Sequence, residues 1–378
     1  MHITFILQDM YRLGAQYVTS MIANGLSKRG HKIDLIVSAI ESKIANERPD
    51  LEPFPLNDEI NKLELTHLKA SKNISEIRRY LLENQPDVIM PMSSNYALAT
   101  AMAMLFLPIK TKFMPVEHSG GIGMNLDKGS KLNILSRWAT KFTSYIMFNK
   151  IDGVIAVSNG VKEAMVASKC IKPEKIHVIY NPVISEQFYD KISQNSKHRW
   201  LKNKSSFVIV AAGAHVPIKG YDILIHAMAE VNKTHICKLI IYGEGVLTSE
   251  LENLANSLNV GDSVDFPGHT KNLPAELKSA DAFVVSSHAE SFSVVLVEAL
   301  ASKIPVVASN CPSGPAEILS NGKFGILVKP GDPKALAKGI IEVINGGGIL
   351  PKDESWSPYE LGKVVTNYDK VIMSVINN

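Results

Sequence analysis

The chain has 378 residues, of which 46% are hydrophobic and 20% are charged, and its formal net charge is +3. This length favours two domains of ordinary size, and so small a net charge gives little support for nucleic-acid binding. The three cysteines, Cys170, Cys237 and Cys311, have no paired spacing, so neither a disulfide framework nor a cysteine metal site is expected.

The first residues predict a strand and not a targeting segment. Met1 to Leu7 lack a basic region followed by a cleavage site, and the longest apolar run, 97–109, is too short to cross a bilayer. We therefore expect a cytoplasmic protein. Residues 1–182 hold 22 Lys and Arg against 17 Asp and Glu. This basic first half suits an anionic surface, although randomly scattered surface charges explain it equally well.

Short β-branched runs alternate with amphipathic helical stretches in both halves of the chain. A helix predicted at Ala15–Arg29 ends at Gly30, a residue type that commonly closes helices, and another is predicted at Asp222–Val231. This alternation is typical of parallel sheets covered by helices on both faces. The predicted strands are Ile3–Leu7, Lys32–Val37, Asp87–Met92, Lys112–Val116, Gly153–Ser158, Ile176–Tyr180, Phe207–Ala212, Lys238–Tyr242, Ser263–Phe266, Ala282–Ser286, Pro305–Ser309 and Gly325–Val328.

The two halves are separated by a polar, weakly periodic stretch, residues 183–203, which predicts a linker. The fold class is therefore α/β, with two Rossmann-like doubly wound domains at 1–185 and 186–357 and a terminal helix at 358–378. Because ligands collect at the carboxyl ends of parallel strands, two such domains facing each other would form the site in their cleft. A dehydrogenase or an epimerase could share that architecture.

The segment 286–301 carries the strongest functional signal. A predicted strand ends at Ser286 and an apolar helix begins near Ser293, so Glu290 lies in the loop and Glu298 inside the helix. The unpaired first-turn amides and the helix dipole favour a phosphate there. Glu298 lies roughly 7–8 Å further along the axis, where it could hold a ribose, while Glu290 would face the sugar. Two solvated surface acids are the alternative, but apolar neighbours make a charge at Glu298 costly without partners.

These residues and their surroundings resemble glycosyltransferase family 4, whose members have the GT-B fold. The likeness begins with Glu290 to Glu298 and the following residues 302–319, and it extends over nearly the whole chain. The resemblance implies a retaining hexosyltransferase-type enzyme that uses a nucleoside-diphosphate sugar and needs no metal or other cofactor. The further matching segments are Leu26–His31, Val157–Ser158, Ile179–Val183, Tyr242–Gly245, Phe266–Thr270, Leu273–Pro274 and Ala280–Asp281.

The resemblance assigns roles to individual residues. Glu298 would hold the ribose, Lys219 the diphosphate and Glu290 the hydroxyls of the transferred sugar, while His118 matches a histidine that contacts the sugar or its phosphate. Glu290 and His118 are thus the catalytic candidates; a solvated turn lysine and a structural histidine are the alternatives for Lys219 and His118. The remaining donor-binding candidates are Gly14, the helix start with Ser291, Phe292, Ser293, Val294 and Val295, and the base-facing loop with Gly268, His269 and Thr270.

The chain departs from the family pattern at two places. Ala214 stands where members usually carry an arginine that pairs with the lysine, so a bidentate phosphate clamp is missing. His215 and Arg12 are the candidates to replace it. Only Gly14 remains of a glycine pair near the first strand. These losses leave open a donor-impaired enzyme or a non-catalytic partner subunit.

The acceptor is less clearly indicated. The basic, aromatic stretch 128–150 predicts either a helix lying on a membrane surface or a core helix with solvated lysines. UDP is favoured as the donor nucleotide, although the sequence leaves the donor sugar and base open. The resemblance implies a glycan or lipid-linked glycan acceptor in surface polysaccharide or glycolipid synthesis, with peripheral contact at the inner face of the plasma membrane. The terminal helix resembles one that crosses back onto the first domain; a simple helix on the second is the alternative. A sugar-nucleotide epimerase is a further alternative. A nicotinamide dehydrogenase is not favoured, because no G-x-G-x-x-G motif follows the predicted strands Ile3–Leu7 or Phe207–Ala212.

Overall fold

The computed structural model describes residues 1–11, 14–47, 52–118 and 147–377. The chain divides into two compact units: Met1–Pro182 together with Leu361–Asn378, and Val183–Glu360. The sequence placed the boundaries at 185 and 357, a few residues from each of these division points.

The first unit is built on parallel sheets, one of five strands in the order β3-β2-β1-β4-β5 and one of three in the order β6-β7-β8. Strand order reverses at β1, which pairs with β2 on one side and β4 on the other. Its elements up to residue 178 are β1 (His2–Ile6), α1 (Ala15–Ser27), β2 (Lys32–Val37), α2 (Ile40–Glu47), β3 (Asn61–Glu64), α3 (Ile74–Asn84), β4 (Val88–Pro91), α4 (Ser94–Ala103), β5 (Lys112–Phe113), β6 (Val116–Glu117), β7 (Val154–Ala156), α5 (Asn159–Ala167) and β8 (Ile176–Val178).

The second unit has one parallel sheet of six strands, in the order β11-β10-β9-β12-β13-β14. The reversal here is at β9, so the loops that follow β9, β10 and β12 meet at one carboxyl edge. Its elements are α6 (Glu186–Ile192), α7 (Arg199–Lys202), β9 (Phe207–Ala212), α8 (Tyr221–Val231), β10 (Cys237–Tyr242), α9 (Thr248–Ser257), β11 (Val264–Asp265), α10 (Leu273–Ser279), β12 (Ala282–Val285), α11 (Val294–Ala301), β13 (Val306–Ser309), α12 (Pro315–Ile318), β14 (Ile326–Val328) and α13 (Pro333–Glu342).

The prediction of a polar linker at 183–203 is wrong, because this stretch forms α6 and α7. The side chains of Phe188 on α6 and Leu201 on α7 are buried. The polar residues between them are also used: the buried Glu276 carboxylate accepts hydrogen bonds from the Ser196 hydroxyl and from the Lys197 amide, the latter at 2.9 Å. Part of the polar composition here therefore reflects hydrogen bonding to a buried acid, since Ser196 is itself buried.

The last helix, α14 (Leu361–Asn377), lies in the first unit and packs against α1. Gly25 of α1 makes the close approach feasible, since a Cβ atom there would lie 2.5 Å from a methyl group of Val365. Polar contacts add to the packing: the Asp369 carboxylate lies 2.9 Å from Arg29 Nη1 and 2.6 Å from His31 Nε2. The chain end is thereby fixed to the first unit.

Candidate functional site

The turn that carries Lys219 is fixed to the end of β12. Gly220 has φ of +59°, and a Cβ atom there would lie 2.4 Å from the carbonyl oxygen of Ser286, so a larger residue would not fit. The Ser286 hydroxyl donates to the Lys219 carbonyl at 2.9 Å, and the His288 amide donates to the carbonyl of Ile218 at 2.8 Å. The Lys219 side chain therefore starts from a backbone that is held beside the loop containing Glu290.

Lys219 and Glu290 form an ion pair at this carboxyl edge. Lys219 Nζ lies 2.8 Å from Glu290 Oε1, which also accepts a hydrogen bond from the Ser287 hydroxyl at 2.7 Å. Gly314, with φ of +74°, passes beside the acid, and a Cβ atom there would lie 3.1 Å from Glu290 Cβ. The Lys219 side chain is 23% exposed and the Glu290 side chain 9%. Partial shielding from water strengthens the electrostatic interactions of the pair, while the remaining exposure leaves it accessible to a ligand.

The start of α11 follows this pair in sequence and presents hydrogen-bond donors. Ser293 is the N-cap residue, yet its side chain caps no amide, and its buried hydroxyl has no hydrogen-bond partner. Phe292 packs edge-to-face on Tyr359 at 5.4 Å, which anchors the loop before the helix. Ser291 precedes it, and Val294 and Val295 of the first turn are half-buried. A buried hydroxyl and first-turn amides are suited to bind an anion.

Glu298 lies in the middle of α11, half-buried, as the sequence predicts. Burial raises the pKa of this carboxyl group to about 7, and the charge of Lys191 on α6 acts in the opposite direction. A carboxyl group whose pKa is raised by burial has too little polar contact to stabilise its charge fully. Hydroxyl donors from a ligand would supply that contact.

The loops after β10 and β11 border an open cavity. The Gly243 amide donates to the Gly268 carbonyl at 2.9 Å, and Gly268, with φ of +77°, leaves space for the Glu244 carboxylate. His269 is exposed, and the Thr270 hydroxyl accepts from the backbone of Asn272 at 3.2 Å. The cavity has a volume of about 670 Å³ and is lined by Gly243, Glu244, Gly245, Thr248, Phe266, Pro267 and Gly268.

His215 does not replace the missing arginine. Its ring is fully buried, edge-to-face with Tyr221 at 5.4 Å and Phe266 at 5.8 Å, and Nδ1 lies 2.9 Å from the Thr248 hydroxyl. Burial also lowers its pKa, so the ring is neutral at physiological pH. A fully buried neutral ring supplies no charge to a phosphate, and Arg12 lies outside the described residues.

His118 belongs to the first unit and directly follows β6. Burial lowers the pKa of its ring to about 4, and Nε2 is buried without a hydrogen-bond partner. The preceding residue, Glu117, is buried and accepts a hydrogen bond from the hydroxyl of Ser94, in the first turn of α4, at 3.3 Å. His118 is therefore a neutral imidazole with one unused nitrogen, on a backbone fixed by its neighbour.

Gly14 marks the start of α1 with φ of +94°. A Cβ atom there would meet nothing within 4 Å, so glycine is favoured by the backbone conformation and not by crowding. This open space is consistent with a ligand-facing turn, and the preceding residue, Leu13, lies outside the described residues.

The structure brings together Lys219, Glu290 and the start of α11 in the second unit, whereas His118 and Gly14 lie in the first unit. Sequence reasoning missed Ser287, which contacts Glu290, and Lys191, which acts on Glu298. A small hydroxyl residue three positions before the acid was a usable signal for Ser287. No such signal existed for Lys191, because its stretch was interpreted as a linker.

Residues 1–11, 14–47, 52–118 and 147–377 contain neither a cluster of metal-binding side chains nor a membrane-spanning helix. Across those ranges, no group of three or more His, Cys, Asp or Glu residues is arranged to hold a metal ion. Within the same ranges, no helix is both long and apolar enough to span a bilayer.

Several known proteins are similar to this chain. A relative from Campylobacter jejuni is 26% identical over 343 residues, which is 88% of this chain and 87% of the relative, and is named N-acetylgalactosamine-N,N'-diacetylbacillosaminyl-diphospho-undecaprenol 4-alpha-N-acetylgalactosaminyltransferase. A Bacillus anthracis relative, N-acetyl-alpha-D-glucosaminyl L-malate synthase, is 21% identical and covers 97% of this chain and 95% of its own length.

Solved structures confirm the fold class. A glycosyltransferase from Rickettsia africae has a TM-score of 0.77 at 17% identity and covers 100% of this chain and 99% of its own. The Anabaena protein HepE, solved in complex with UDP-glucose, has a TM-score of 0.74 at 19% identity, with 100% of both chains covered. Two Rossmann-like parallel-sheet units of the GT-B type are therefore present, as predicted.

Two family models match the two halves of the chain. Glycosyltransferase Family 4 matches residues 13–187, and Glycosyl transferases group 1 matches residues 192–360. Together they cover nearly the whole sequence, in the order that the resemblance of its motifs predicts. The chain therefore belongs to the group 1 and family 4 glycosyltransferases of the GT-B fold.

Proposed function

We propose that this glycosyltransferase is a retaining, metal-independent enzyme of the hexosyltransferase type, which moves a sugar from a UDP-sugar to a hydroxyl group of a glycan or lipid-linked glycan. The observation that carries the proposal is the Lys219–Glu290 ion pair, formed three residues before the N-cap residue Ser293, whose hydroxyl has no hydrogen-bond partner. A cation, an acid and free anion-binding donors at one carboxyl edge suit a nucleoside-diphosphate sugar.

The donor would extend along α11. Its diphosphate would accept hydrogen bonds from the Ser293 hydroxyl and the first-turn amides and would pair with Lys219. The ribose would bind the Glu298 carboxylate further along the helix. The cavity beside Gly268 would receive the base. UDP is favoured because the Anabaena neighbour of the same fold was solved with UDP-glucose.

The acceptor is proposed from the relatives. The Campylobacter relative is named for a diphospho-undecaprenol-linked acceptor, and a neighbour with a TM-score of 0.70 and 18% identity is titled a lipopolysaccharide outer core galactosyltransferase. A lipid-linked acceptor would hold the enzyme at the inner face of the plasma membrane, in surface polysaccharide or glycolipid synthesis. The stretch 128–150, predicted as either a membrane-surface helix or a core helix, falls almost wholly outside the described residues.

The chemistry proposed is attack on the face from which the donor phosphate leaves. The bond from the acceptor oxygen to the anomeric carbon forms as the bond to the phosphate oxygen breaks, and the acceptor proton passes to that phosphate oxygen. Lys219 and the α11 amides would stabilise the charge that develops on the leaving diphosphate. Glu290 would orient sugar hydroxyls, and neutral His118 would accept or donate a hydrogen bond at the sugar or its phosphate.

Turnover of UDP-sugars in the presence of a chelator tests this proposal. We expect UDP release that depends on acceptor and is unaffected by EDTA, and the new anomeric centre should keep the donor's configuration by NMR. Glu290→Gln should lower release by on the order of 100-fold, whereas the exposed Glu252→Gln should leave it unchanged. Inverted product, or loss of activity in EDTA that Mg²⁺ restores, would contradict it.

One observation favours the alternative of a donor-impaired enzyme or a non-catalytic partner subunit. Ala214 stands in place of the family's usual arginine, and His215 is buried and does not replace it. Such a subunit would show no turnover with any nucleotide sugar, and Glu290→Gln would leave its cellular role intact. A sugar-nucleotide epimerase would convert the donor without any acceptor, so the same assay separates all three.

A further inference from the structure

His215 lies in the loop after β9, next to the open cavity that the loops after β10 and β11 border. The loops after β9 and β10 continue the parallel pairing of the two strands. The Gly213 amide donates to the Tyr242 carbonyl at 2.9 Å, and the His215 amide donates to the Glu244 carbonyl at 3.0 Å. The His215 carbonyl in turn accepts from the Leu247 amide at 3.1 Å. The two loops therefore run side by side as far as the start of α9.

The approach of these loops leaves no space for a side chain at Gly245. A Cβ atom there would lie 2.4 Å from the carbonyl oxygen and 2.7 Å from the amide nitrogen of His215. Four residues of the cavity wall are in contact with His215: its backbone meets Glu244 and Gly245, and its ring meets Thr248 and Phe266. One residue of the neighbouring loop thus fixes much of this wall from behind.

The hydrogen bonds around Thr248 fix the position of the proton on the His215 ring. The Thr248 hydroxyl donates its single hydrogen to the Gly245 carbonyl at 2.9 Å, and its oxygen accepts from the Gly245 amide at 3.1 Å. The contact with His215 Nδ1 at 2.9 Å must therefore use a hydrogen on Nδ1. Because burial lowers the pKa of this ring, the ring is neutral and carries only that one N–H, which makes Nε2 an acceptor.

The second ring nitrogen of His215 is a cost to the fold. Nε2 is buried and has no hydrogen-bond partner among the residues that the structure describes. A leucine would fill a similar space against Tyr221 and Phe266 and would bury no unpaired nitrogen. Packing alone therefore does not account for a histidine at this position, whereas the hydrogen bond from Nδ1 to Thr248 does.

We propose that His215 is a positioning residue for the nucleobase, which holds the cavity wall at Thr248 and Phe266 in the shape that accepts the base. The role rests on the proposed function, which places the base in this cavity. Because the ring is fully buried, it acts through the wall residues and not by direct contact with the donor. The loop that has Ala214 in place of the usual arginine thus contributes to donor binding through the base.

Binding of UDP and of inorganic pyrophosphate to the full chain separates this role from a general effect on the fold. Pyrophosphate, measured by displacement of UDP, shares the diphosphate contacts but has neither base nor ribose. His215→Leu should weaken UDP binding by about tenfold, the effect of losing one hydrogen bond that orders the wall, and should leave pyrophosphate binding unchanged. His226→Leu is the matched control, because His226 is exposed on α8 of the same unit; it should change neither affinity.

Two further variants test the hydrogen bond itself. His215→Asn keeps a side-chain N–H near the position of Nδ1, so it should bind UDP within about twofold of the wild type. Thr248→Val removes the same bond from its other end and should also weaken UDP binding without changing pyrophosphate binding. The double variant with His215→Leu should bind UDP no more weakly than Thr248→Val alone. Thr248→Val serves for the same test if His215→Leu does not fold.

The role is overturned if His215→Leu binds UDP as tightly as the wild type, or if it loses UDP and pyrophosphate binding in equal proportion. It is also overturned if His215→Asn is as weak as His215→Leu, or if the losses of the two single variants add in the double variant. Any of these results with a wild type that binds UDP leaves the proposed function intact. A wild type that binds no UDP overturns the proposed function as well.

Discussion

Lys219 and Glu290 neutralise each other, with Nζ and Oε1 at 2.8 Å. A diphosphate that takes Lys219 as its partner must share or replace this contact. The pair thus holds the lysine in position before the donor arrives, while the acid partly shields the positive charge that would attract it.

The first prediction follows from this competition. Glu290→Gln removes the negative charge beside Lys219, so UDP should bind more tightly, by roughly fivefold for about 1 kcal/mol. Transfer should nevertheless fall by on the order of 100-fold, because the acid that orients the sugar is lost. Calorimetry and turnover measured on the same preparation check both effects, and weaker UDP binding would contradict the competition.

The second prediction concerns the lysine itself. Lys219→Ala removes a charge-assisted contact to the diphosphate, which should weaken UDP binding by about 10- to 100-fold. Lys323→Ala, in an exposed ion pair of the same unit, is the matched control and should leave affinity unchanged. Equal affinity of Lys219→Ala and wild type for UDP would exclude the assigned role.

The third prediction uses the raised pKa of Glu298. In the unfolded chain this acid ionises near pH 4.5, but in the folded protein only near 7. Folding stability is therefore lost as pH rises from 4.5 to 7. Glu298→Gln lacks this penalty, so it should melt like the wild type below pH 4.5 and be more stable above pH 7, by on the order of 1–3 kcal/mol.

Thermal melts of both proteins from pH 4 to pH 8 measure this difference. A stability gap that is independent of pH would show that the substitution acts through packing and not through the charge of the acid.

The fourth prediction addresses the missing clamp. Ala214 is exposed, so an arginine there needs no core space. Ala214→Arg should strengthen UDP binding by about tenfold, since a guanidinium group binds phosphate in a bidentate manner. Ala214→Gln, of similar length without charge, is the control. No gain over that control would indicate that the loop no longer faces the diphosphate.

The strands that sequence could predict share a β-branched, apolar composition, and all twelve predicted segments overlap strands of the structure. β3 (Asn61–Glu64) was missed because it is polar and largely exposed. It exists through tertiary contacts: it pairs in parallel with β2, Asn61 donates to the buried Asp34 carboxylate at 3.2 Å, and Lys62 pairs with Glu41.

One predicted strand, Lys112–Val116, is divided in the structure. Met114 and Pro115 separate β5 from β6, and these two strands pair in different sheets. Proline lacks the amide hydrogen that a central strand donates, so Pro115 indicates this interruption in the sequence itself.

The candidate site was predicted where backbone constraints and chemistry coincide. The sequence predicts this part of the site because small residues precede an apolar helix. The predicted parts are the strand end at Ser286, the loop with Glu290 and the helix from Ser293. The burial of the His215 ring could not be predicted, because it depends on Tyr221 and Phe266 from other elements. Side-chain direction at a loop is a tertiary property that local sequence does not encode.

Calorimetric titration of the wild type and Glu298→Ala with UDP, GDP and ADP, in a buffer with EDTA, tests the central claim most directly. We predict that UDP binds the wild type without metal, that GDP and ADP bind more weakly, and that Glu298→Ala weakens UDP binding by about tenfold or more through loss of the ribose contact. If no nucleoside diphosphate binds the wild type, the second unit holds no donor site and the partner-subunit alternative takes its place.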